Sequence, residues 1–180
     1  MKYVAIFEKE KTSIMTPSHY HLVINHFPVV TSVIAFIVLA AGLILKNKTI
    51  NFCGLSLTLL GGIFTIPAFL TGEGAEEHLE TFGGVSHNLI HEHEEMAEVL
   101  IWLVSFNALF AGCVLYFIWR NKAISNYIYL LHLTLSLVVC IFFFRSAHSG
   151  GHIRHPEIEA TAPSTAPSDV KTPDRPHDED

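Results

Sequence analysis

Histidine and glutamate side chains are the residues of this 180-residue chain whose types and spacing most directly suggest chemistry. The segment Ser86–Glu98 alone holds three histidines and four glutamates. If it is helical, His87 and His91 share a face with several of the glutamates, and His93 points in a different direction. A solvated helix with Glu–His pairs one turn apart explains this pattern without any site. A metal or haem site explains it equally well if other histidines converge on His93.

Neutral imidazole binds iron, copper, zinc and nickel, and neighbouring carboxylates favour iron or zinc over Cu(I). The His-Glu-x-x-His zinc motif and the Glu-x-x-His pairs of di-iron bundles are both absent. At most one haem b is expected, near the outer face, for instance with His26 and His93 as its axial ligands. A second haem is not expected, because His132 is the only histidine in the cytoplasmic half and has no partner ligand there. We expect His132 to form an interhelical hydrogen bond instead.

The elements that position these residues are four long apolar segments. Half of the residues are apolar, and four stretches contain no Asp, Glu, Lys or Arg: Leu22–Leu45, Thr49–Leu70, Val99–Trp119 and Ala123–Phe144. Each has about the ~20 residues that an α-helix needs to cross a bilayer. The sequence therefore predicts an all-α integral membrane protein, an antiparallel four-helix transmembrane bundle. Residues 1–18 precede the membrane domain, residues 19–158 form it, and residues 159–180 are predicted to be a disordered, acidic, proline-rich tail.

Four crossings place all 17 acidic residues and every histidine except His132 on one face of the membrane. The short connections Lys46–Lys48 and Arg120–Lys122 hold four basic residues and no acid. Positively charged connections stay in the cytoplasm, so both termini and the His/Glu face are predicted to be extracytoplasmic, in the bacterial inner membrane. The lipid bilayer is the expected partner. Nucleic acid is not, because no basic stripe is present.

Turn and helix-start signals predict local structure near that face. Thr16 and the following proline should start a helix, and Pro28 should either begin the membrane helix or kink it. A turn is expected at Thr71–Gly74. Ala75–Glu98 should form an acidic surface helix between the second and third spans, divided at its glycine pair, and Gly150 with its neighbouring glycine should end the last helix.

Small and aromatic residues within the spans predict packing. The residues expected to permit close helix contacts are Gly54, Gly61 and Gly62, and those expected to pack as small apolar groups are Cys53, Cys113 and Cys140. Trp119, Tyr127 and Tyr129 should form an aromatic girdle at the membrane interface.

Four motifs resemble those of the bacterial four-helix membrane domain catalogued as domain of unknown function 2231. They are His21–Pro28 (H-x4-H-F-P), Thr71–Glu77 (T-G-E-x-A-E), His93-Glu94 and Gly150–His155 (G-G-x-x-R-H), and the resemblance covers roughly Ser18–Ile158. Asn25 and Gly74 depart from the Val and Pro of that pattern. The family has no assigned activity, and its topology is likened to cytochrome b561-type bundles by analogy only.

The resemblance selects six candidate metal ligands at the helix ends: His21, His26, Glu73, His93, Glu94 and His155. We expect His26 and His93 to face inward and His87 and His91 to be solvated. One hypothesis is a redox or metal-binding module that serves a membrane-protein or electron-transfer partner. An alternative is a non-catalytic structural or accessory subunit whose polar residues only cross-link helix ends. A proton or ion path is disfavoured because no carboxylate lies within a span. Whether the protein is an enzyme stays open.

Overall fold

The computed structural model describes residues 16–82 and 87–154, which form five helices and no strand. The helices are α1 (Pro17–Ile24), α2 (His26–Ile44), α3 (Lys48–Phe82), α4 (His87–Trp119) and α5 (Asn126–Arg154). Predictions for residues 1–15, 83–86 and 155–180, including the disordered tail and His155, lie outside the described residues.

Four helical segments are long and apolar enough to cross a membrane. They are Ser18–Ile44, which combines α1 and α2, and Lys48–Glu77, His87–Trp119 and Asn126–Gly151. Each contains one of the stretches without charged residues that the sequence singled out, apart from a few residues at the stretch ends. The prediction of four helices with the properties of membrane spans is confirmed, and they indicate a multi-pass membrane protein.

The helix of the first span is interrupted near its start, as the presence of Pro28 predicts. Thr16 caps α1: its hydroxyl accepts a hydrogen bond from the backbone N–H of His19 at 3.4 Å. The helix ends at Ile24, Asn25 forms a turn, and α2 begins at the next residue. The proline ring cannot donate a hydrogen bond and crowds the carbonyl of the residue four positions earlier, which is Ile24. The break therefore falls where that carbonyl loses its partner.

Two predicted helix ends are wrong. Thr71–Gly74 is not a turn, because α3 continues through it to Phe82, and α5 continues through Gly150 to Arg154. The predicted surface helix is accordingly not separate, since its two halves extend α3 and α4. A glycine inside a helix costs only about 1 kcal/mol. Packing beyond the glycines offsets that cost, because Ala75 is buried at 7 % exposure.

Helix α3 is the centre of the packing, with contacts to α1, α2 and α4, and α5 packs on α2 and α4. Glycines bring the backbones together. A Cβ at Gly54 would stand 3.0 Å from the Leu39 backbone, and one at Gly62 would overlap the Ala108 side chain. The predicted close approach at these glycines is confirmed.

Two packing predictions differ from the structure, one for the aromatic girdle and one for the cysteines. Tyr129, expected in the aromatic girdle, is buried at 5 % exposure in the core with Leu39 and Leu55. Trp119 and Tyr127, the other predicted girdle residues, are highly exposed on the protein surface. All three cysteines are free; Cys140 is buried, whereas Cys53 and Cys113 are exposed and do not pack in the interior.

Buried polar residues connect the helices inside the bundle. Asn107 of α4 donates a hydrogen bond from Nδ2 to Ser136 Oγ of α5 at 3.3 Å. His132 of α5 is fully buried, stacks on Phe110, and has its Nε2 3.3 Å from Thr58 Oγ1 of α3. The predicted interhelical hydrogen bond of His132 is confirmed.

Candidate functional site

The side chain of His21 connects α1 to the C-terminal part of α3. Its Nδ1 lies 3.2 Å from Thr71 Oγ1, and its ring is half-buried. The next residue of α3, Gly72, gives the ring its space: a Cβ there would already stand 3.6 Å from His21 Cε1. The packing therefore fixes the ring between two helices.

His93 makes the equivalent connection between α4 and α5. Its Nδ1 lies 2.9 Å from Ser149 Oγ, and its ring is half-buried. A Cβ at Gly150 would stand 3.2 Å from His93 Cε1, which is closer than most such contacts. In both places a hydroxyl residue followed by a glycine holds an imidazole that comes from another helix.

The two imidazoles lie at one end of the helices, which we call the histidine rim (His21, Thr71, His93 and Ser149). They are close enough for a charge on one ring to act on the other. Thr71 follows the first residue of α3 by 23 residues, and Ser149 follows the first residue of α5 by the same number. At 1.5 Å per residue both hydroxyls lie about 35 Å from those helix starts. The rim is therefore about as far from the opposite helix ends as a hydrocarbon core is thick.

His26 does not belong to this pair. Its side chain is exposed, so the prediction that it faces inward with His93 is wrong. His21 belongs to α1 and His26 to α2, and the break at Asn25 lies between them. The role of His26 as a ligand stays a prediction.

The candidate carboxylates lie on exposed surface. Glu73 and Glu94 are both exposed, and Oε2 of Glu94 lies 3.6 Å from Nδ1 of His91. The other ring nitrogen of His91 is 3.4 Å from Glu95 Oε1. His87 and His91 are exposed, as predicted for this solvated face of α4. Among the residues whose side chains the structure describes (16, 18–77 and 87–151), no three His, Cys, Asp or Glu side chains converge in a way that could hold a metal ion.

The sequence reasoning missed Thr71 and Ser149, the two hydroxyls that orient the imidazoles. A signal was present: Thr71-Gly72 and Ser149-Gly150 are both a hydroxyl residue followed by glycine, near the same end of their helices. Both pairs were interpreted as places where a helix ends.

Comparison of the chain with protein-family models, with curated proteins and with solved structures gives no match. The resemblance to the domain of unknown function 2231 therefore stays a prediction.

Proposed function

We propose that this protein is a membrane-embedded redox or metal-binding module that holds one haem b or one transition-metal ion at the histidine rim. The observation that carries the proposal is the pair His21 and His93. Two half-buried imidazoles from different helices lie within range of each other's charge, and each has one ring nitrogen hydrogen-bonded to a hydroxyl. Histidines that bind metals characteristically have the second ring nitrogen held in this way.

The number of donors favours haem. A zinc site takes three or four protein ligands, whereas the described residues supply two imidazoles and no third donor beside them. A haem iron needs only axial ligands from the protein, because the porphyrin supplies the other four donors. Glu73 and Glu94 are exposed, and they form no group of three metal-binding side chains with the two imidazoles among the described residues. His155, outside the described residues, is the remaining candidate for a third ligand.

The absorption spectrum of the purified, detergent-solubilised protein tests this proposal directly. A Soret band with about one haem per chain would support haem binding. A colourless sample with about one iron, copper or zinc per chain would support a metal site. A folded protein that stays free of haem and metal after incubation with both would contradict the proposal.

A structural or accessory role is the second candidate, and one observation favours it. The bonds from His21 to Thr71 and from His93 to Ser149 each connect two helices. Interhelical hydrogen bonds in membrane proteins contribute around 0.6–1.7 kcal/mol. In that case loss of either histidine would lower stability modestly, and no bound group would be found.

We further propose that the four helices cross the bacterial inner membrane as an antiparallel bundle of the kind found in the domain of unknown function 2231. The order of contacts supports an antiparallel α2–α3 pair. Gly42 meets Asn51, Leu39 meets Gly54, and Phe27 stacks near Phe64 with 5.4 Å between ring centroids. The lipid bilayer would cover the exposed apolar faces of the helices. Trp102 on α4, for example, is 78 % exposed.

In this arrangement Asn47 should be cytoplasmic and the histidine rim extracytoplasmic, because the short connections are basic. With the native cysteines replaced by serine, a cysteine at Asn47 should resist a membrane-impermeant maleimide in intact cells, and one at Glu95 should react. Both should react after permeabilisation. Labelling of the Asn47 position in intact cells would show that the orientation is opposite to the one proposed.

A further inference from the structure

The hydroxyl of Thr71 has a single proton and lies near three atoms that could accept it, two carbonyl oxygens and Nδ1 of His21. Thr71 Oγ1 lies 2.9 Å from the Pro67 carbonyl oxygen and 3.1 Å from that of Ala68, to which it can only donate. Serine and threonine hydroxyls have one proton and two lone pairs. When the hydroxyl donates to either carbonyl, only its lone pairs remain for His21 Nδ1, and His21 then carries its proton on Nδ1.

Ser149 repeats this arrangement at His93. Its Oγ donates to the Ser146 carbonyl oxygen at 3.0 Å, so only lone pairs remain for His93 Nδ1 at 2.9 Å. His93 therefore also carries its proton on Nδ1.

The third buried hydroxyl–histidine pair has the opposite arrangement. Thr58 Oγ1 donates to the Gly54 carbonyl at 3.1 Å and contacts His132 through Nε2, so His132 carries its proton on Nε2. Its Nδ1 is buried without a partner. The Nδ1–H form inferred at the histidine rim therefore differs from the form inferred at His132.

We propose that Thr71 and Ser149 are positioning residues that hold His21 and His93 in the Nδ1–H form, so that both rings present an unprotonated Nε2 to one shared ligand. The ligand is an electron-pair acceptor, either a haem iron or a metal ion with vacant coordination positions. This inference rests on the proposed function for its ligand, but the protonation pattern of the rings does not depend on it. Fixing the tautomer through the other ring nitrogen also makes the ligating nitrogen more basic.

Nitrogen-15 NMR of the full-length protein labelled at histidine tests the inference in the absence of haem and metal. The signals of His21, His93 and His132 are assigned by single replacement of each by Gln. We expect His21 and His93 as Nδ1–H tautomers and His132 as Nε2–H. In Thr71→Val and Ser149→Ala, which remove the hydroxyls, the affected ring should become a mixture of tautomers. Thr71→Ser, which keeps the hydroxyl, should retain the Nδ1–H form.

Titration of the same variants with haem or with the metal found in the native protein gives a second readout. Loss of either hydroxyl should weaken binding 10- to 100-fold, as is usual for partners of metal-ligating histidines, and Thr71→Ser should restore it. An Nε2–H form at His21 or His93 in the native protein would overturn the inference even if haem binds. Nδ1–H forms in a protein that binds neither haem nor metal would support the tautomer assignment and overturn the proposed function.

Discussion

Replacement of His93 or His21 by alanine is expected to reduce bound haem or metal from about one per chain to none. Each residue supplies one of the two described donors, and no third His, Cys, Asp or Glu among the described residues lies beside them to take its place. The helices should stay folded, because each variant loses one interhelical hydrogen bond worth about 0.6–1.7 kcal/mol. The Soret absorbance, or the metal content by elemental analysis, measures the loss, and circular dichroism verifies the fold.

Two other histidines provide matched controls. His26→Ala changes an exposed residue five positions after His21, and His91→Ala changes an exposed residue two positions before His93. Both variants should keep the bound group at the native level. If His26→Ala loses the bound haem or metal while His21→Ala retains it, the ligand pair is not His21 and His93. The result would then support His26 and His93, the pair expected from the sequence.

Replacement of Gly62 by alanine is expected to cost about 1–3 kcal/mol in the free energy of unfolding, in the range of overpacked cores. The new Cβ would overlap the side chain of Ala108 on α4. To remove this overlap, α3 and α4 would have to move apart where they pack against each other. Reversible unfolding in mixed micelles with increasing sodium dodecyl sulfate measures the change.

Gly112→Ala is the control for this effect, since its Cβ would meet Leu59 Cδ1 at 3.8 Å, an ordinary van der Waals distance. Its free energy of unfolding should rise by up to about 1 kcal/mol, because alanine is the better helix former. The same gain is available at Gly62, where the overlap with Ala108 outweighs it. Equal stabilities of the two variants would show that α3 and α4 do not pack through Gly62 in the membrane protein.

The sequence predicted the spans well because a bilayer imposes a simple physical rule. Every backbone polar group in the hydrocarbon must be bonded within its own segment, so long uncharged apolar stretches become helices. The break before Pro28 follows from one local clash, and it was also predicted. Helix ends at Thr71–Gly74 and Gly150 were predicted wrongly, because local turn preferences are weak compared with the packing of a neighbouring helix.

The histidine pair was harder to predict because its geometry depends on how four helices pack together. His21 and Thr71 are 50 residues apart, and His93 and Ser149 are 56 residues apart. Spacing along the chain does not show which of His21 and His26 faces α3. That choice depends on how α1 contacts its neighbour, which only the tertiary structure provides.

If the histidine rim binds a haem, as we propose, its depth would determine which class of redox partner can reach it. The rim lies about 35 Å along α3 and α5 from their first residues, so it would lie at or beyond the limit of a ~30 Å hydrocarbon core that begins at those residues. A quinone dissolved among the lipid tails would remain below a haem held at that height, whereas a water-soluble carrier could approach it from the aqueous side. Electrons would therefore arrive and depart on the same side of the bilayer. A protein of this kind would exchange electrons within one compartment without contributing to a voltage across the membrane.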